Sequence, residues 1–154
     1  MIVVSDTSAI SALLVIKRVD LLRDLFGEVL IPPAVALELR RAHPLLPAFI
    51  RVAPVTDLAW VAELVTELDR GEAEAIALAR QVRADALLID EKLGRRVARR
   101  AGLHVVGLLG VFAEAKHAGL LANVGTILDE LVTNAGFYIS PALRHEVLRS
   151  VKEA

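Results

Sequence analysis

Met1-Ile-Val-Val-Ser-Asp6 opens the chain, and Ala86-Leu-Leu-Ile-Asp90 repeats its pattern: a short, branched apolar run that ends on an aspartate. Runs of this length and branching read as strands of a parallel sheet buried on both faces. Each is followed by a segment of helical periodicity, residues 7 to about 16 after the first and 92 to about 101 after the second. Ligands in open α/β sheets bind outside the carboxyl ends of the strands. Both aspartates are therefore expected to project into one crevice.

Working outward, the same alternation continues. Residues 19–26 form a short helix ending at Gly27, a plausible first residue beyond a helix, and Glu28-Val-Leu-Ile31 is a second strand. Pro32-Pro33 stops that strand, and proline is well tolerated in the first turn of the next helix, about 34–42. His43-Pro-Leu-Leu-Pro47 is a loop and residues 50–53 a short strand. Asp57 caps a helix running to Leu68, Asp69-Arg-Gly71 breaks the chain, and residues 72–82 are strongly helical. Residues 104–106 make a further strand, 108–118 a helix stopped by Gly119, and 123–135 a helix ending at Gly136. Ser140-Pro141 supplies a cap and a proline at the first helical position for a last helix. Strands alternating with helices predict an α/β fold, a three-layer α/β/α sandwich around a central parallel sheet, with residues 1–154 as one domain.

Composition agrees. A chain of 154 residues buries roughly 70% of its unfolded surface. With 55% hydrophobic but only 4% aromatic residues, the core is aliphatic, as suits helices packed on a sheet. The absence of cysteine excludes disulfides and thiolate metal sites and fits a reducing compartment. No basic region precedes the first apolar run, and Asp6 interrupts it early, against the form of a signal peptide. No apolar stretch approaches the ~20 residues needed to span a bilayer. The expectation is a soluble cytoplasmic protein.

Eighteen Lys and Arg stand against 19 acids, a formal net charge of −1, which is not the footprint of a strongly basic nucleic-acid binder. The distribution is less even. Lys92, Arg95, Arg96, Arg99 and Arg100 follow Asp90, and Arg40 and Arg41 follow Glu38. The first cluster is either a solvated helix face or a phosphate guide, with Lys92, Arg95 and Arg96 the candidates to steer a phosphate backbone.

Mg²⁺ and Mn²⁺ prefer oxygen ligands and bind through one or two protein carboxylates plus water and substrate phosphate. Phosphodiester chemistry on such ions needs acids converging from separate chain segments. Asp6 and Asp90 qualify, although each also precedes a helix and reads equally as an N-cap. Glu38 lies at the margin of the apolar face Val35, Leu39, Ala42, facing either the crevice or solvent. Glu72 and Glu74 compete for one role, since about 200° separates them on a helix. The face through Glu72 continues as Ala75, Ile76, Ala79 and Val82, which favours it, with Glu74 as the fallback; the alternative is that both complement the helix dipole. Thr7 and Ser8 are placed to hydrogen-bond the carboxylates or a metal-bound water, and Glu91 either assists Asp90 or is solvated.

Other chemistries lack their residues. His43, His104, His117 and His145 are scattered, with no pair at zinc-helix spacing. There is no Gly-x-Ser-x-Gly elbow and no phosphate loop, and Gly107-Leu-Leu-Gly110 is too short for a dinucleotide fingerprint.

Val3-Val-Ser-Asp-Thr-Ser8, Ile31-Pro-Pro-x-Val35 leading to Glu38, Gly71-Glu72 with Ala75-Ile-Ala-Leu-Ala79, and Leu87-Leu-Ile-Asp90 together resemble a PIN domain in order and spacing. The closing Gly136-Phe-Tyr-Ile-Ser-Pro141 is similar to a prokaryotic PIN-like subfamily that ends in Gly-Phe-x-Ile-Ser-Pro. The resemblance implies a Mg²⁺- or Mn²⁺-dependent ribonuclease, often the toxin of a VapBC-type toxin–antitoxin pair, commonly a homodimer inhibited by a small antitoxin. It carries Asp6, Glu38 and Asp90 over as family acids. The third acid is usually Asp; Glu72 takes that place, and its extra methylene changes ligand reach. Two rival expectations remain: a catalytically degenerate PIN-like interaction module, and an Asp-nucleophile phosphatase, whose motif wants a second Asp where Ser8 stands.

Overall fold

Five strands carry the architecture in the computed structural model, which describes residues 1–154. They are β1 (Val3–Ser5), β2 (Val29–Ile31), β3 (Ile50–Val52), β4 (Ala86–Leu88) and β5 (Val105–Val106), all parallel, in the order β3-β2-β1-β4-β5. Nine helices connect or follow them: α1 (Thr7–Val15), α2 (Asp20–Phe26), α3 (Pro33–Ala42), α4 (Leu58–Leu64), α5 (Arg70–Gln81), α6 (Lys92–Arg100), α7 (Leu108–His117), α8 (Val124–Asn134) and α9 (Pro141–Ser150). No helix is long and apolar enough to cross a membrane.

The sheet separates two cores. Val3, Val29, Ile31, Ala86 and Leu88 pack with residues of α1, α2, α7 and α8. Val4, Leu87 and Ile89 face the other way, into residues of α4, α5 and α6. Successive strand residues point to opposite faces, so strands covered on both sides must be apolar without alternation. That is why the central strands are short, mostly aliphatic runs, Val3-Val-Ser5 and Ala86-Leu-Leu88, and why the fold is a three-layer α/β/α sandwich.

The chain steps from β1 outward through β2 to β3, then returns to the far side of β1 as β4. The reversal lies between β1 and β4, where Val3 faces Ala86, Val4 faces Leu87 and Ser5 faces Leu88. This is the topological switch point, where a crevice opens at the carboxyl ends of the strands.

Local signals set the helix limits. Asp57, Asn123 and Ser140 accept from Trp60 N (3.1 Å), Thr126 N (2.9 Å) and Leu143 N (3.1 Å) as N-caps of α4, α8 and α9. Gly27 and Gly102, at φ 77° and 80°, end α2 and α6 in a left-handed conformation that side chains disfavour. Two limits differ most: α5 begins at Arg70, so that only Asp69 of the expected break lies outside the helix, and the helix expected to reach Leu68 stops at Leu64. Thr66 Oγ1 donates to the Glu63 carbonyl (2.7 Å), a local bond that competes with helix continuation.

Glu153 fastens the C-terminal segment to this frame. Its side chain, 12% exposed, accepts from Lys116 Nζ and Val124 N, both at 2.7 Å, and from Gly125 N at 3.0 Å, at the start of α8. Burial alone would raise its pKa; the Lys116 contact and the two N–H bonds outweigh it and hold the carboxyl below its ordinary value. Its contribution to stability is therefore present above the unfolded pKa and lost as pH falls through the lowered folded one. Glu153→Ala is expected to destabilise the fold by about 2 kcal/mol at pH 7, read by urea unfolding. An unchanged midpoint would show that water replaces the cap without loss.

Candidate active site

Asp6 and Asp90 follow adjacent strands at the switch point. The Asp6 N–H donates to the Leu88 carbonyl at 3.0 Å, which continues the β1–β4 ladder up to the first acid. Asp6 is 2% exposed and caps α1 only through a long bond from Ala9 N (3.4 Å). Burial first, then the negative charge of Asp90, raise its pKa well above the usual carboxylate range; the Ala9 N–H opposes this, and Glu72 and Asp69 add to it. Asp90 does not cap α6, the helix that follows it. Its Oδ1 accepts from Leu108 N (3.0 Å) at the start of α7, while its Oδ2 is buried without a partner. Burial raises the Asp90 pKa against the Leu108 N–H and the nearby Arg95.

α5 brings the next acids, and here the helical-face argument meets its limit. All residues from Gly71 to Ala79 are buried, because α5 packs against α3, α4, α6, β1 and β4 at once. Glu72 and Glu74 are therefore both buried, on different sides, and partners rather than periodicity distinguish them. Glu74 is satisfied: it accepts from Ala34 N (3.0 Å) at the start of α3 and from Arg70 Nε (2.9 Å). Glu72 is not. Its Oε2 is buried with no hydrogen-bond partner. Burial, then the neighbouring Asp69 carboxyl and Glu91, push its pKa up to about 7, against the Asp69 backbone N–H.

The remaining residues divide. Glu38 is half-buried on α3 and accepts from Thr7 Oγ1 at 2.8 Å, which ties it to the residue after Asp6. Ser8 and Glu91 are exposed and share with Asp69 and Glu72 a small acidic cleft of about 260 Å³. Arg95 lies beside Asp90, whereas Lys92 and Arg96 are exposed on α6. Asp69 is a site neighbour that reads in the sequence as no more than a helix breaker. It caps α5 by accepting from Glu72 N (2.8 Å) and its charge reaches Asp6. The signal that could have found it is the Asp-x-x-Glu spacing of a capping box.

Two glycines make room for the acids. A Cβ at Gly71 would stand 2.7 Å from Glu38 Oε1, and one at Gly94 would stand 2.7 Å from both Glu72 Oε2 and Ile89 Cδ1. Ile89 is fully buried and has nowhere to move. Gly94→Ala is expected to cost about 1–3 kcal/mol by overpacking, measured by urea unfolding. A neutral result would mean that the Glu72 carboxylate swings aside freely.

No three His, Asp or Glu side chains are grouped closely enough to hold a metal ion as they stand. The acids are near enough to disturb one another's ionisation without converging. Their chemistry nonetheless fits a hard divalent cation: all donors are carboxylate oxygens, and two buried oxygens, Glu72 Oε2 and Asp90 Oδ2, have no partner.

The paired acids thus stand at the switch point of an α/β sandwich. A family model described as PIN domain matches residues 2–153, and the chain belongs to the PIN-domain family. No curated protein and no solved structure matches it.

Proposed function

We propose that this protein is a Mg²⁺- or Mn²⁺-dependent endoribonuclease. The observation that carries the reading is the pair Asp6 and Asp90 at the ends of adjacent central strands, both raised in pKa by burial and Asp6 further by the charge of Asp90, with Glu72, whose Oε2 has no partner, near enough to add to the shift of Asp6. Asp6, Asp90 and Glu72 would hold the cation, and Glu38 would act directly or through water. A bound cation supplies charge neutralisation and a more acidic water for attack on phosphorus. The chain itself contributes positioning: Leu108 N–H holds Asp90, Thr7 holds Glu38, and Arg95, beside Asp90, would offer a positive charge to a phosphate oxygen. The resemblance to VapC-type toxins supports the finer parts of the proposal: a cytoplasmic homodimeric toxin held in check by a small antitoxin.

The looseness of the acids favours a second reading, a PIN-like module that binds a partner without cleaving. Incubation with labelled single-stranded RNA in Mn²⁺, Mg²⁺ or EDTA separates them. Metal-dependent internal cleavage supports the nuclease; intact RNA in all three, with no metal-induced rise in stability, supports the module.

A further inference from the structure

A second depression adjoins the acids and is unlike them. It encloses about 450 Å³, within the size range of small-ligand sites, and its walls are mainly apolar. Val106 and Leu109 line it together with Phe137, Tyr138, Ile139 and Leu143, and Asp90 and Arg95 also contribute to its wall. Of the acids at the strand ends it reaches Asp90 alone, and it is separate from the acidic cleft around Glu72. Its outer wall is the Gly136-Phe-Tyr-Ile-Ser-Pro141 motif and the start of α9, a helix with no buried residue.

Three features suit this groove to a base rather than to core packing. Tyr138, the chain's one tyrosine, is 83% exposed on the rim and contributes nothing to the cores. Arg95 supplies a positive charge in the wall, complementary to the phosphate that joins a base to the scissile position. Gly107 keeps that arrangement open, since a Cβ there would lie 2.8 Å from Arg95 Nη1 and 3.1 Å from Asp90 Oδ1.

We infer that this groove is a nucleobase subsite: it takes one unpaired base of single-stranded RNA next to the phosphate at Asp90, with Tyr138 as its stacking platform. The inference rests on the nuclease reading and adds to it a recognition residue, Tyr138, and a place for one unstacked base. A paired base is held in its helix and presents no free face to the ring. Stacking on an aromatic side chain is sequence-tolerant, and its removal weakens binding roughly five- to 150-fold per base.

The test is fluorescence anisotropy in EDTA with a fluorescein-labelled, mixed-sequence single-stranded oligoribonucleotide and the same strand annealed to its complement. Wild type, Tyr138→Ala and Tyr138→Phe are compared; the side chain is exposed, so all three are expected to fold. Tyr138→Ala is expected to weaken single-strand binding about tenfold. Tyr138→Phe keeps it, and duplex binding is weak and indifferent to the substitution. In Mn²⁺, the Ala variant raises KM and leaves kcat near wild type. Equal single-strand binding by wild type and Tyr138→Ala overturns the subsite and leaves the groove for a protein segment. So does failure of wild type to bind single strands. RNA cleavage with KM unaltered by Tyr138→Ala removes the subsite while the nuclease reading stands. Tyr138-dependent binding without cleavage in Mg²⁺ or Mn²⁺ keeps the subsite and removes the nuclease.

Discussion

Asp6→Asn is expected to lower Mn²⁺-supported RNA cleavage by about a thousandfold, on the scale of a metal site's several kcal/mol of charge stabilisation. The fold should survive. Asn retains an oxygen to accept from Ala9 N, and the backbone bond from residue 6 to the Leu88 carbonyl is untouched. The substitution removes a charge from a site that is 2% exposed and faces Asp90, Glu72 and Asp69. Metal-free Asp6→Asn should therefore be at least as stable as wild type, which separates loss of chemistry from loss of structure. Cleavage assays and thermal unfolding on one preparation decide it. Undiminished cleavage by the variant would remove Asp6 from the mechanism.

The second large effect is on stability. The folded pKa of Glu72, about 7, lies above its ordinary 4.5, so between those values the native state holds more protons than the unfolded chain. Stability of the metal-free protein must then fall as pH rises through that interval, and level off above it. Each pH unit of that interval corresponds to about 1.36 kcal/mol, so Glu72 alone accounts for about 3 kcal/mol. Asp6 and Asp90, raised in the same direction, add to the trend. Glu72→Gln should flatten the profile and, in EDTA at pH 8, exceed wild type by about 2–3 kcal/mol. Mn²⁺ should reverse that order, since a ligand at a hundredfold excess over its Kd stabilises the native state by about 2.7 kcal/mol. Denaturant unfolding across pH 4–9 is the measurement. A flat wild-type profile would mean that Glu72 ionises as freely in the fold as in water.

Most of the fold was legible because its signals are local. Pro32-Pro33 begins α3, Asp57, Asn123 and Ser140 cap their helices, and the apolar runs at 3–5 and 86–88 are strands because both faces are covered. Strand order is not local. The sequence suggested one crevice for Asp6 and Asp90, and only the pairing of β1 with β4 makes them neighbours. The choice between Glu72 and Glu74 failed as a periodicity argument because α5 has no exposed face near its start. What distinguishes them is Ala34 N and Arg70, one of them on another helix. For Asp90 the N-cap alternative is not realised at α6: its side chain accepts instead from Leu108 N, eighteen residues on, at the start of α7. The apolar groove was invisible, since residues near 106 and 138 meet only through tertiary packing.

The order in which the strands are made has a consequence for synthesis. Translation delivers β1, β2 and β3 before β4, although β4 is an interior strand, between β1 and β5. A nascent chain thus carries Asp6, Thr7 and Glu38 for a long interval with no Asp90, no Arg95 and no α6. Its first strand has an open edge where β4 will pair, and the Asp6 N–H still lacks the Leu88 carbonyl. Half of the acidic cluster is thus made well before the other half, and on the nuclease reading the site is complete only once β4 has paired with β1.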